Sequence, residues 1–407
     1  MATMQTEGRR TDGDAADWQP ARADGEESPL ARLTAEQLEE LALEFDAIHE
    51  QVYADLGERD ARYIRATIAL HRRLVLAARA LLLGSRYRPL WLAGTASLSL
   101  AKILENMEIG HNVMHGQWDW MNDPDINSQT WDWDTASPAD AWRHSHNYEH
   151  HTFTNIRGKD RDLGYEIMRV DPEQRWHPIY LFQPLYNLLL MGFFEWGVAV
   201  HDLNFDAIHA GEKSKEQMLA ELKAIGAKAR GQIVKDYIAF PSLAALTALV
   251  ASRGSRTSAR ATFSSTLKAN FTANIVRNVW AHSIIFCGHF PDQTYTFSEE
   301  EVADETRGGW YVRQLLGAAN IEGGSLFHLL AGNLSFQVEH HLYPDVPSSR
   351  YAEIAPRVRD VCRRYGLPYN TGPLHKQLGT VHRTILRLAF PGGRPTRKPG
   401  AYRPESV

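Results

Sequence analysis

Apolar residues in this chain fall into one helically spaced segment and four longer runs. Residues 33–56, LTAEQLEELALEFDAIHEQVYADL, place them every three to four positions, which predicts an amphipathic helix. Thr34 stands where the N-cap belongs, and Gln37 completes a capping box. Four apolar regions follow: 69–105, interrupted by SRYRP; 179–200; 237–252; and 271–288. A bilayer core takes roughly 20 apolar residues per helix, so several of these regions are short or polar for a span. Hydropathy alone leaves two readings open, a membrane protein and a soluble protein with long core helices. In the first, residues 85–89 turn the first region into a hairpin and return the chain to its starting side. That turn carries Arg86 and Arg88 to the far side, against the tendency of basic residues to stay on the cytoplasmic face.

With 43% hydrophobic residues in 407, the chain has ample material for a core. A net charge of -5 and the absence of any zinc-finger, RRM or helix-turn-helix pattern argue against a nucleic-acid partner. Cys287 and Cys362 are the only cysteines, too few for a disulfide framework or a Cys-rich metal site, and a reducing compartment fits. Residues 1–32 read as a disordered tail without a secretory signal, 389–407 as a second tail rich in Pro, Gly and Arg, and 33–388 as one domain.

Histidines carry the chemistry. His111 and His115, in EIGHNVMHGQWDW, share a helix face and could hold one metal ion between them. RHSHNYEHHTFTN repeats the spacing with His146 and His150, while His151 points about 100° away from His150, so the adjacent pair suggests two metals. SFQVEHHLYPD adds Gln337, His340 and His341, and NVWAHSIIFCGHFPD adds His282 and His289. Seven of 18 histidines fall into HxxxH, HxxxHH and QxxHH. Without cysteine, structural zinc is disfavoured, and HNVMH lacks the glutamate of a metalloprotease HExxH. A nitrogen-rich site suits iron, copper, nickel or zinc, and spacing does not choose among them.

HNVMH, HNYEHH and QVEHH resemble the three histidine boxes of the membrane fatty acid desaturases. The longer strings NMEIGHNVMHGQWDWMNDP, IFCGHFPD and EHHLYPD are similar to actinobacterial acyl-CoA (stearoyl-CoA) Δ9 desaturases, and the likeness runs from about residue 38 to 388. The resemblance implies an O2-dependent oxidoreductase that places a cis double bond in a saturated long-chain acyl-CoA with two non-haem iron ions. It implies His111, His115, His146, His150, His151, His340 and His341 as ligands, with His289 the eighth. Gln337 stands where many relatives have histidine, so it is an extra ligand or a water-holding group. His282, which forms NxxxH with Asn278, ranks below His289, and His144 falls outside. Glu108, Glu149, Asp162 and Glu339 are candidate acceptors for the outer imidazole nitrogens.

One site requires all boxes on one membrane side, hence an even number of crossings between His151 and His340. Residues 179–200, with Gln183, Pro184, Asn187 and Glu195, are the region expected not to span. The expected fold is therefore all-α: about four transmembrane helices in two hairpins, plus a cytosolic helical cap carrying the boxes, in a bacterial plasma membrane. The charged segment 212–235 lies on the cap side. No HPGG of a fused cytochrome b5, GxGxxG or Cys cluster is visible, so electrons come from a separate NAD(P)H-dependent reductase or iron-sulfur carrier. Arg143, Arg157, Lys159 and Arg161 are candidate contacts for an acidic carrier or CoA phosphates. Two alternatives share the histidines: a di-iron hydroxylase of alkyl or lipid substrates, and a non-catalytic zinc-binding membrane protein.

Overall fold

Thr34 and Gln37 cap the first helix, α1 (Ala35–Ala54), reciprocally: Thr34 Oγ1 accepts from the Gln37 amide at 3.2 Å, and Gln37 Oε1 accepts from the Thr34 amide at 2.9 Å. The structure is a computed structural model that describes residues 18–20, 28–392, 397–399 and 402. Among these the chain is all-α apart from two short strand pairings, Asn320–Glu322 beside Thr371–Pro373 and Trp18–Pro20 beside Arg397–Pro399. Most of the two expected tails lies outside the described residues. Within the described part, Leu30 packs against the α1 core and the Tyr402 amide donates to the Leu367 carbonyl at 2.8 Å.

Two hairpins form the long-helix body. α2 (Glu58–Leu83) and α3 (Arg88–Ile103) are antiparallel and close-packed at Gly94, where a Cβ would lie 2.8 Å from Leu82 Cγ. α3 continues unbroken through a π-helical stretch, Leu104–His111. After the connecting segments come α4 (Gln183–Gly192), α5 (Phe194–His201) and α6 (Lys215–Ile233). π-Helical residues Val234–Ala239 join α6 to α7 (Phe240–Ala251), which pairs with the 34-residue α8 (Arg256–His289). α8 packs on α3, and Ala78, Leu82, Leu98, Ala269 and Ala273 fill the seam between hairpins. The seam also holds a buried ionic staple. Asp236 accepts from Arg79 Nη2 at 2.9 Å and Lys102 Nζ at 2.8 Å.

The outer faces are apolar, with Leu76, Leu92, Leu243, Leu246, Val250 and Phe271 exposed. Among the described residues one helix, Lys215–Ala251, is both long and apolar enough by composition to cross a bilayer. It unites the charged segment and the third apolar region, which the sequence reading separates. α4 and α5, at about 15 and 12 Å, fall well short of a hydrocarbon core of about 30 Å. They break at Phe193, and Asn278 of α8 bridges the break by donating to the Gly192 carbonyl at 3.0 Å and accepting from the Glu195 amide at 3.5 Å.

The cap is built from α1, α9 (Arg307–Gly317), α10 (Gln337–Leu342), α11 (Tyr351–Tyr365) and α12 (Leu374–Leu388). Leu41, Phe45, Val312, Val338 and Val358 join α1, α9, α10 and α11 in one core. This core fixes α10 against the ends of α3 and α8.

Candidate metal centre

His111 with His115 and His289 sit where long helices end, and the other two histidine motifs lie on shorter helical segments. His111 ends the π-helical stretch of α3, and His115 lies one turn on. His146 and His150 lie in a second π-helical segment, Arg143–His150, and His151 starts the turn after it. His289 is the last residue of α8, and His340 and His341 lie on α10. Remote side chains hold these ends. Buried Arg313 donates to the Thr152 and Thr154 carbonyls at 3.0 Å each and pairs with Glu305. Gly332, at φ 69°, approaches so closely that a Cβ would lie 2.5 Å from the Met107 carbonyl oxygen. Its own carbonyl thereby meets the Asn112 amide group at 3.1 Å.

The imidazoles converge in two groups. His111, His115, His146 and His340 bring one nitrogen each within 4.8 Å of one another, and His150, His289 and His341 form the second such group. The His151 ring lies between, 4.7 Å from His115 and 4.5 Å from His341, centroid to centroid.

Hydrogen bonds fix the tautomers. Asn112 spends its amide hydrogens on the Glu108 and Gly332 carbonyls, so its oxygen accepts from His111 Nδ1 at 3.1 Å. The Tyr351 hydroxyl donates to the Tyr343 carbonyl and therefore accepts from His340 Nδ1 at 3.2 Å. Gln314 donates to the His151 carbonyl, leaving its oxygen for His341 Nδ1 at 3.0 Å. Asp162 takes His146 Nδ1 at 3.2 Å, and Asp160 takes His150 Nδ1 at 3.0 Å. Each ring thus carries its hydrogen outward and turns an Nε2 lone pair inward, as metal-binding histidines do. Nε2 of His115, His146, His150 and His340 is buried without a hydrogen-bond partner, and so are both nitrogens of His151. His289 Nε2 and His341 Nε2 face each other at 3.2 Å. Buried lone pairs left this way are costly unless a cation takes them, and an all-nitrogen set suits a first-row transition ion.

The protonation states agree. Burial, reinforced by His146, pushes His111 down to about 3. Burial and the neighbouring imidazoles also hold His115, His151, His289, His340 and His341 well below the usual histidine range. Burial lowers His146 too, against the pull of Asp162. His150 differs, because the charge and hydrogen bond of Asp160 overcome burial and raise it.

Several candidates fall elsewhere. Glu108 touches no imidazole: it accepts from Tyr63 and Ser348 hydroxyls at 2.9 and 2.8 Å and from Asn333 at 3.0 Å. His282 also stands apart, its Nε2 3.0 Å from Asn187 Oδ1 and its ring stacked on Phe286 at 3.7 Å. Asn278, its expected partner, is occupied at the α4–α5 break. Gln337 does enter the second group, 3.0 Å from His289 Nε2, with its oxygen unpartnered. His144 is outside both groups. Glu339 binds Asn320 and Tyr369, and Glu149 pairs with Arg161. The four basic residues considered for docking are all engaged: Arg143 with Asp140, Arg157 with Asp171, Lys159 with Glu299 and Arg161 with Glu166. Asp160, Asn112, Gln314 and Tyr351, which do orient imidazoles, carry no sequence signal.

A narrow, partly open cavity abuts His111, His146, His150 and His289. Its apolar wall includes Met107, Trp133, Phe194, Val198, Ile285 and Leu334. Trp118, by contrast, is core, stacked on Tyr63 at 6.2 Å.

The fold and this centre define a class: a helical protein whose paired histidine clusters can hold metal ions beside an apolar slot. The chain belongs to the fatty acid desaturase family, whose model matches residues 89–373, and it is thus an oxidoreductase. It is 49% identical over 362 residues to the NADPH-dependent stearoyl-CoA 9-desaturase of Mycobacterium tuberculosis, covering 89% of this chain and 82% of that protein. More distantly, it is 25% identical over 297 residues to the sn-1 linoleoyl-lipid 6-desaturase of Synechocystis sp., covering 71% of this chain and 77% of that protein.

Proposed function

We propose that the protein introduces a cis Δ9 double bond into a saturated long-chain acyl-CoA, using O2, two external electrons and two iron ions. Two inward-facing sets of histidine lone pairs beside an apolar slot carry this reading, and the name of the mycobacterial relative supports the substrate and position. His111, His115, His146 and His340 would hold one ion and His150, His289 and His341 the other, with His151 between them and Gln337 beside His289. Bound iron supplies O2 activation and removal of hydrogen from an unactivated carbon. The chain's own part is positioning: tautomers fixed from outside, and an acyl chain held dry against Phe194, Val198 and Leu334. Overall the acyl chain loses two hydrogens, and O2 takes these with two electrons and two protons to give two waters. The electrons come from a separate reductase or iron-sulfur carrier, and NADPH is their source in the mycobacterial relative's name.

In this reading the two hairpins span the bacterial plasma membrane as four helices, with the histidines on the cytosolic side. The exposed apolar faces of α2, α3, α7 and α8 support that placement. Short α4 and α5, with Leu185, Leu188, Leu189 and Phe193 exposed, lie in the interface.

Membranes bearing the protein, supplied with a reductase, NADPH and labelled stearoyl-CoA, should yield an alkene that mass spectrometry places at Δ9. An alcohol without alkene would establish the hydroxylase instead. Zinc alone after anaerobic purification, with no activity on iron loading, would establish the metal-binding scaffold.

A further inference from the structure

His201 belongs to no histidine motif, yet the fold brings it to the metal centre. It ends α5 with 5% of its side chain exposed and lines the same cavity as His146 and His150. Its Nε2 lies 3.0 Å from Asp162 Oδ1, while Asp162 Oδ2 takes the His146 Nδ1 hydrogen at 3.2 Å. One carboxylate therefore hydrogen-bonds two imidazoles, of which only His146 is in a metal-binding group; His150 Nδ1 lies further off, 3.8 Å from Asp162 Oδ2, and donates to Asp160 instead.

The far side of His201 is held as well. Its Nδ1 is 3.6 Å from Glu166 Oε2, Arg161 Nη2 donates to its carbonyl at 2.5 Å, and Tyr165 packs edge-on at 5.2 Å. Arg161 is itself clamped by Glu149 and Glu166 at 3.2 and 3.0 Å. The charged groups around the ring are thus Asp162, Glu166, Asp202 and Arg161. Burial disfavours a charge on His201, but the hydrogen bond and charge of Asp162 outweigh it and raise its pKa. At the last residue of a helix, the partial negative charge of the free carbonyls also favours a cation.

A carboxylate bound only to a metal-ligating histidine can rotate about its own side-chain bonds and carry the ring with it. Asp162 cannot, because its outer oxygen is pinned by His201, while its backbone N–H, donating to Asp160 Oδ1 at 3.0 Å, holds the main chain from which the side chain springs. We propose that His201 is a positioning residue, anchoring Asp162 so that His146 Nε2 stays aimed into the four-histidine group. The proposal rests on the two-iron reading above. Removing a partner that orients a metal ligand costs about 10- to 100-fold in affinity, and an anchor one bond further out belongs at the lower end, about tenfold.

The test uses the full-length protein, purified anaerobically in detergent, reloaded with Fe(II) and titrated with a chelator while iron per chain is measured. Wild type should hold two ions. His201→Phe, which keeps a ring but no donor, should hold one ion as wild type does and the other about tenfold more weakly. His201→Gln, which retains an N–H donor, should recover most of that loss, and because the loss of the buried Asp162 partner lowers stability in His201→Phe, iron binding is compared well below the metal-free melting temperature of each variant. Asp162→Ala, which removes both acceptors, should weaken binding of the same ion, which keeps the test open if His201→Phe does not fold. The proposal is overturned if either His201→Phe or Asp162→Ala binds both ions as tightly as wild type, or if His201→Gln loses iron as fully as His201→Phe. A wild-type chain that takes up no iron would overturn the two-iron reading instead.

Discussion

Replacing Asp160 by Asn removes one oxygen from the most heavily used acceptor at the centre. Oδ1 accepts from His150 Nδ1 and the Asp162 amide, both at 3.0 Å. Oδ2 accepts from His150 Nδ1 at 3.1 Å and the Asn155 amide at 2.7 Å. Its side chain is wholly buried, so no water can substitute. Whichever way an Asn amide turns, its NH2 faces a backbone N–H, leaving one buried donor unsatisfied at about 1–3 kcal/mol. The surviving bond to His150 also loses its charge, which costs about 1 kcal/mol more. The metal-free protein should therefore be destabilised by about 2–4 kcal/mol, and iron affinity should fall about 10- to 100-fold. Chemical denaturation and iron content after chelator challenge measure the two effects separately. The pH dependence gives a further check. Asp160 raises the pKa of His150 in the folded chain, so the pair stabilises the metal-free fold below about pH 6.5, and this contribution disappears as pH rises through the raised value. Asp160→Asn should flatten that decline. Wild-type iron affinity in the variant would refute the assignment of Asp160 as the group that orients His150.

Glu108 offers a second pH test. Burial pushes it up to about 7 despite hydrogen bonds from Ser348, Tyr63 and Asn333, so the folded chain holds its proton more tightly than the unfolded one. Stability should fall between about pH 4.5 and 7, by about 3 kcal/mol, and Glu108→Gln should abolish the fall. A melting difference independent of pH would count against this. Asp236→Asn leaves Arg79 and Lys102 without their shared carboxylate between the hairpins and should cost about 3–5 kcal/mol. An unchanged midpoint in detergent would mean the staple is solvated. Val198→Trp should obstruct the cavity beside the histidines and cut turnover of stearoyl-CoA by about tenfold or more, a loss of at least about 1.4 kcal/mol in substrate positioning, with iron content intact. Undiminished turnover would place the acyl chain elsewhere.

What could be read from sequence was whatever depends on local spacing. The α1 capping box needs only residues three apart, and the HxxxH pairs need only one helix turn, so both were visible. The adjacent His150 and His151 suggested two metals, but their sharing was not legible: His151 lies between the two groups, and His146 and His150, one helix turn apart, fall in different ones. The orienting acceptors were not visible, because Gln314 and Tyr351 reach His341 and His340 only after α9 and α11 dock on α10. Asp162 was named and Asp160 missed, although they are two residues apart and both accept from imidazoles, because nothing local shows that a carboxylate turns inward. NxxxH at Asn278 and His282 misled for the converse reason: the spacing was right, but α8 turns these side chains toward α4 and α5. The long helices were marked only in part, since α6 carries a charged stretch straight into an apolar one with no break between them.

The π-helical stretches Leu104–His111 and Arg143–His150 have a consequence that belongs to chain length and not to any side chain. A wider turn accommodates one residue more than an α-helix would, and everything beyond it is rotated accordingly. Deleting one residue inside either stretch can be absorbed as its wide turn closes to an α-turn, but the same deletion in the regular turns beside it would swing the following histidines by about 100°, away from their partners, with every imidazole still present. The centre is therefore written partly in arithmetic: a substitution on these helices alters one contact, whereas a single-codon deletion outside the wide turns erases a coordination corner whole.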